Sequence, residues 1–151
     1  MRTGDFHYTA SPQCTPVEAM ALLADLTRQG ELHPLIIAVV RETARPGALR
    51  SYTITDAMRL GPLRFRITYQ ADILRQDDST LETVARQSPN VTVRNLTTVS
   101  PDGDSTRIAC HVTLTAPTPL FGYAFGQARR AHTELAARIE KRLSPGGHRA
   151  E

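Results

Sequence analysis

Between residues 35 and 116 the chain is interrupted five times by turn chemistry, at Pro46-Gly47, Gly61-Pro62, Asp77-Asp78, Ser88-Pro89-Asn90 and Pro101-Asp102-Gly103. Proline fixes φ and removes a backbone donor, glycine tolerates left-handed backbone, and Asp and Asn side chains bond nearby amides, so each cluster favours a reversal of the chain. The segments between them are enriched in β-branched residues, which favour strands. The punctuation therefore predicts six consecutive antiparallel strands. Alternation assigns their inward faces: Tyr52, Ile54, Asp56 and Met58 on one; Phe65, Ile67, Tyr69, Ala71 and Ile73 on the next; Ile108, Cys110, Val112 and Leu114 on the last.

Outside this region the period changes. Asp5 to Ala10 alternates well enough for a first strand, with Phe6, Tyr8 and Ala10 on one face. Thr15-Pro16-Val17-Glu18 has the form of a capping box with proline at the first helical position, predicting a short helix whose apolar face is Val17, Met20, Ala21 and Ala24. Asp25 offers a cap for a second brief helical turn, which must end before His33-Pro34 because the residue before proline resists the α conformation. At the far end Pro117 stops the last strand, Thr118 is placed to cap, and Pro119 suits the first position of a helix running to about Leu143.

That helix is unusual in its first half. At about 100° per residue its apolar stripe is Phe121, Ala124, Phe125, Ala128, Ala131, His132, Leu135, Ile139 and Leu143. Three alanines where a core helix usually carries larger side chains leave volume unfilled. Gly122 and Gly126 fall on the opposite face, and each costs about 1 kcal/mol relative to alanine. Two readings follow: the glycines loosen a gate that Phe121 and Phe125 seal over a cavity, or they let a neighbouring backbone or a second subunit approach closely.

One strand, two short helices, six antiparallel strands and a C-terminal helix define an α+β order. The carriers of that order are "ASPQCTPVEAMALLADLTRQGELHP" and "TLTAPTPLFGYAFGQARRAHTELAARIEKRL". With these the chain resembles the Bet v 1-like START superfamily, also called SRPBCC, and within it the polyketide cyclase/dehydrase and lipid-transport family. The resemblance spans nearly the whole chain. It implies a helix-grip fold, a curved seven-stranded antiparallel sheet around the long helix, with an apolar cavity for lipids, sterols or polyketides between them. The family shares no catalytic triad, so no active-site residue carries over.

Composition narrows the remaining classes. A chain of 151 residues fits one domain, expected over residues 1–144 with a polar tail at 145–151. The pI of about 9.2 invites nucleic acid, yet Lys141 is the only lysine among 18 basic residues, and the arginines are scattered beside 15 acids with no basic run interleaved with aromatics. A nucleic-acid partner is not expected. The N-terminus has no apolar signal-like run, and the longest apolar run, Leu35 to Val40, is too short to span a bilayer, so stable membrane insertion is not expected and the chain reads as cytoplasmic. In that setting Cys14 and Cys110 are two thiols rather than a disulfide. There is no Cys/His metal spacing, phosphate loop or nucleophile elbow, hence no expected metal or cofactor. A homodimer stays open.

The candidate site is then read from the predicted interior. The ligand-binding set is Tyr52, Ile54, Met58, Ile67, Tyr69, Cys110 and Val112 from the strands, with Phe121, Ala124, Phe125, Ala128 and His132 from the helix. His132 within the apolar stripe is either a donor or base toward a ligand carbonyl or enol, or a core histidine bonded to a backbone carbonyl. Asp56 shares a face with apolar residues and needs a partner if buried. His132 and Asp56 are the two catalytic candidates. His33 reads as a loop residue, His7 and His111 as solvent-facing, Cys110 as a small hydrophobe and Tyr123 as a rim residue. Two functions remain: a module that binds an apolar small molecule, or a polyketide cyclase, aromatase or dehydratase using His, Asp and Tyr as acid and base.

Overall fold

The computed structural model describes residues 1–33 and 35–144; the expected tail at 145–151 lies outside them. Strand β1 (Arg2–Ala10) leads into helix α1 (Pro16–Ala24) and a 3₁₀ turn (Leu26–Glu31). Strands β2 (Ile36–Glu42), β3 (Arg50–Leu60), β4 (Leu63–Gln76), β5 (Thr80–Gln87), β6 (Val91–Asp102) and β7 (Ser105–Ala116) follow, and helix α2 (Thr118–Leu143) ends the described fold. The seven strands form one curved antiparallel sheet in the order β1-β7-β6-β5-β4-β3-β2. The predicted helix-grip fold is the observed one.

Local chemistry explains the elements. Glu18 N–H donates to Thr15 Oγ1 at 3.2 Å and Thr15 N–H to Glu18 Oε1 at 3.4 Å, closing the capping box that starts α1. In the two-residue turns of the β3–β4 and β6–β7 hairpins, Gly61 and Gly103 take φ of +58° and +59°, conformations that a Cβ would strain. Asp77 Oδ1 accepts the amides of Ser79 and Thr80, turning β4 into β5.

Four expectations are corrected. The first strand begins at Arg2, not Asp5, and pairs with β7 over its whole length. Pro101 and Asp102 belong to β6 rather than to a turn, since Pro101 is in register with Thr106. Pro117, not Thr118, is the cap residue of α2, and no side chain bonds that helix start. On α1 the buried set is Ala19, Met20, Leu22, Leu23 and Ala24, with Val17 and Ala21 exposed, because the helix packs against both β6 and β7 and buries adjacent leucines between them.

The interior divides in two. A main cluster joins α1, the sheet and the C-terminal turns of α2 through Leu22, Ile73, Ile108, Leu135, Ile139 and Leu143. A smaller one holds Leu114, Ala116 and Phe121 under the first turns of α2. On the outer face Asp72 is clasped by two arginines, Arg45 Nε at 2.9 Å and Arg86 Nη1 at 3.0 Å, while Arg45 Nη2 donates to Tyr52 O. Paired from both sides, that carboxylate tolerates its burial.

Candidate functional site

Between the two clusters lies a cavity of about 410 Å³, walled by α2, by the inner faces of β3 to β6 and by the segment from α1 to β2. Of the expected residues, Ile54, Asp56, Met58, Ile67, Tyr69, Ala124, Ala128 and His132 line it together. Five others do not. Tyr52 and Cys110 are packed in the main core, Val112 is fully buried beneath the sheet surface, and Phe121 and Phe125 turn toward β1. A second concavity of about 510 Å³ sits beside the β3–β4 hairpin, and among the described residues its lining has no carboxylate, histidine or tyrosine.

The rotation of the two phenylalanines has a definite cause. A Cβ built on Gly4 of β1 would stand 2.7 Å from the Phe121 ring and 3.0 Å from that of Phe125, so the missing side chain is the seat into which the rings fit. They stack on each other at 5.2 Å, Phe6 meets Phe125 edge-on at 5.6 Å, and the Arg2 guanidinium lies 4.7 Å over Phe121. The aromatic pair therefore does not seal the cavity, and that form of the gate is overturned. Leu120, Tyr123, Ala124 and Gln127 occupy the cavity side of these turns instead, Tyr123 half-exposed at the rim. Among the described residues, leaving aside the helix's own backbone, nothing lies within 4 Å of a Cβ at Gly122 or Gly126, so no other described strand or helix makes a close approach there.

The polar groups of the cavity fall into three sets. His132 on α2 has Nδ1 2.8 Å from Ala128 O; a carbonyl only accepts, so Nδ1 carries the hydrogen, and in the neutral ring Nε2 keeps its lone pair. Burial lowers its pKa, against the opposing pull of the Ala128 carbonyl. Both alternatives for this residue thus meet in one side chain, which is backbone-bonded and lines the cavity. His33 also lines it, its pKa lowered to about 4 by burial first and then by His132.

On the opposite wall Tyr69 Oη donates to Asp56 Oδ1 at 3.4 Å. Burial raises the Asp56 pKa to about 6, with the Tyr69 bond pulling the other way, and the tyrosine hydroxyl is pushed far above its ordinary value. A third set is Tyr8, Asn95 and Thr97, where Thr97 Oγ1 donates to Asn95 Oδ1 at 3.1 Å and lies 3.3 Å from Cys110 Sγ. The Tyr8 ring packs 5.6 Å from His132, and its hydroxyl pKa is raised by burial and by Cys110. Sequence reasoning missed Tyr8 as a cavity residue, along with His33 and the β5–β6 wall of Leu81, Val91, Val93 and Asn95. The alternation of Val91, Val93, Asn95 and Thr97 was the available signal.

No protein-family model matches the chain, and neither does any curated protein sequence. Solved structures do. The START superfamily protein from Mycobacterium smegmatis aligns with a TM-score of 0.68 at 13% identity, over 92% of this chain and 96% of that one. The chain has the Bet v 1-like START fold. The START fold recurs in the Zhui aromatase/cyclase from Streptomyces sp. R1128, at TM-score 0.62 and 11% identity over 97% and 99% of the two chains. It recurs again in the di-domain ARO/CYC StfQ of the steffimycin biosynthetic pathway, at 0.74 and 14% identity, where 98% of this chain spans 52% of the other. Identities this low carry the START fold and leave the chemistry to the side chains. No helix among the described residues is long and apolar enough to cross a membrane.

Proposed function

We propose that the protein binds an apolar small molecule bearing a few oxygen functions in the cavity under α2. The observation that carries this reading is the cavity itself, about 410 Å³ with Ile, Leu, Val, Met and Ala walls and polar groups gathered at a few points. That volume and pattern suit one small ligand oriented by a handful of hydrogen bonds. Neutral His132, His33 and Tyr8 on one side and Asp56 with Tyr69 on the other would fix oxygens at two places along an otherwise greasy molecule. The test is titration with a neutral polyaromatic fluorophore, together with native mass spectrometry of protein purified from its own host. Saturable uptake of one probe per chain, displaced by any retained ligand, is expected. A folded protein with no saturable uptake overturns the reading.

A second reading is favoured by one specific observation: Asp56, with a pKa of about 6, and His132, held neutral, line the same cavity. A carboxyl raised toward neutral pH suits a general acid, and an imidazole with a free Nε2 lone pair suits a general base. His132 Nε2 would take a proton from a carbon between two ligand carbonyls, the electron pair would pass to a carbonyl oxygen, and the protonated Asp56 carboxyl would supply that oxygen's proton. The aromatase/cyclases of like fold support this only as relatives in fold. Deuterium exchange at such a carbon in a bound polyketone separates the two readings. Turnover predicts an at least tenfold slower exchange in His132→Gln at unchanged probe affinity; equal rates leave binding as the function.

A further inference from the structure

The face of β1 and β7 turned away from the cavity carries a cluster that linear spacing does not reveal. In the register of this strand pair His7 stands directly opposite His111, and Asp5 lies two residues before His7 on the same face. The two imidazoles stack with centroids 4.2 Å apart and planes at 7°. His111 Nε2 lies 2.7 Å from Asp5 Oδ2. One donor atom from each of the three lies within 4.8 Å of the others. The other outward positions of the pair are Thr3, Thr9, Ala109, Thr113 and Thr115, with Arg107 toward the hairpin, and on β6 Leu96 lies beside His111 and Arg94 beside Thr113.

We propose that Asp5, His7 and His111 bind a divalent transition-metal ion of the zinc, nickel or copper class. Two imidazoles and one carboxylate form a donor set suited to these ions and poor for calcium or magnesium, which prefer oxygen. Zinc–ligand distances of about 2.0–2.1 Å in a tetrahedral site put donor atoms about 3.4 Å apart, which exposed side chains reach by small rotations. Three protein ligands leave the fourth position to water. His7 and Asp5 are exposed and His111 is half-exposed, so an ion enters directly from solvent. Once bound it would join the edge strand β1 to β7, on the reverse of the residues that touch His132, Phe6 and Tyr8.

The experiment is isothermal titration of the full chain with zinc chloride alone, repeated with nickel. One ion per chain is expected, with at least tenfold weaker binding in His7→Ala and in His111→Ala and a smaller loss in Asp5→Asn. Amide shifts on zinc addition should concentrate in β1 and β7. Absence of saturable binding at one ion per chain overturns the proposal. So does unchanged affinity in the double histidine variant, or binding abolished by Cys14→Ser and not by the histidine changes. Where alanine disturbs the strand, His7→Gln keeps its bulk and decides the matter on a folded protein checked by circular dichroism.

Discussion

The two halves of α2 are built differently. In the C-terminal half, Leu135, Ile139 and Leu143 are all buried in the main cluster, and Glu140 Oε1 accepts the Ser11 amide at 2.9 Å, tying the helix to the loop after β1. In the N-terminal half only Phe121 is buried, two glycines face open space, and alanines meet the cavity. One helix thus serves as an anchor at one end and as a wall at the other. The difference follows from side-chain volume: leucine and isoleucine at helical spacing fill the sheet's concavity, and alanine at the same spacing leaves it empty.

Breaking the anchor should give the largest effect. Ile139 is fully buried, and Ile139→Ala is expected to cost about 2–5 kcal/mol in denaturant unfolding, whereas Ala131→Gly in the wall removes only propensity, about 1 kcal/mol. Equal losses at the two sites would dissolve the contrast. Next in size, Ala128→Phe should fill the void and weaken probe binding at least tenfold, or about 1.4 kcal/mol, in a protein that stays folded. Unchanged affinity would show that the space under the wall is not where the probe goes. Smaller still, Gly126→Ala should stabilise the helix by up to about 1 kcal/mol, since the added methyl meets nothing among the described residues within 4 Å. If it instead destabilises, the wall is more tightly packed than its surroundings show.

The pH dependence of stability sets two cavity residues against each other, and its sign can be fixed. Folding raises the Asp56 pKa from 3.8 to about 6, so the folded chain binds more protons there and stability from this group is lost as pH rises from about 4 through 6. His33 acts oppositely: its pKa falls from 6.5 to about 4, so the unfolded chain binds more protons and stability is lost as pH falls from about 6.5 toward 4. The two slopes partly cancel in the same window. Asp56→Asn should therefore make the protein's stability rise more steeply with pH between 4 and 6 than in the parent. A parallel pair of curves would refute the displaced carboxyl.

The strands were legible in the sequence because turns are local: a glycine at positive φ or an aspartate bonding the next amides needs only its neighbours. The cavity face of β3 and β4 was legible for the same reason, since alternation fixes Ile54, Asp56, Ile67 and Tyr69 once the strands exist. Which members of the α2 stripe meet the cavity and which meet β1 was not. It depends on Gly4, more than a hundred residues away, whose absent side chain draws Phe121 and Phe125 toward β1 and leaves Tyr123, Ala124 and Gln127 to the cavity. Starting the first strand at Asp5 hid that seat. His33 was illegible in another way, because a loop next to proline has no period from which to read direction.

The aromatic pair rests on β1, and β1 is an edge strand, bonded to β7 alone. A helix seated on an interior strand would press against a sheet braced on both sides; this one presses against a plank fastened along one edge. Whatever loosens the pairing of β1 with β7 therefore also loosens the seat of Phe121 and Phe125, so the start of α2 depends on an edge of the sheet far from it in sequence.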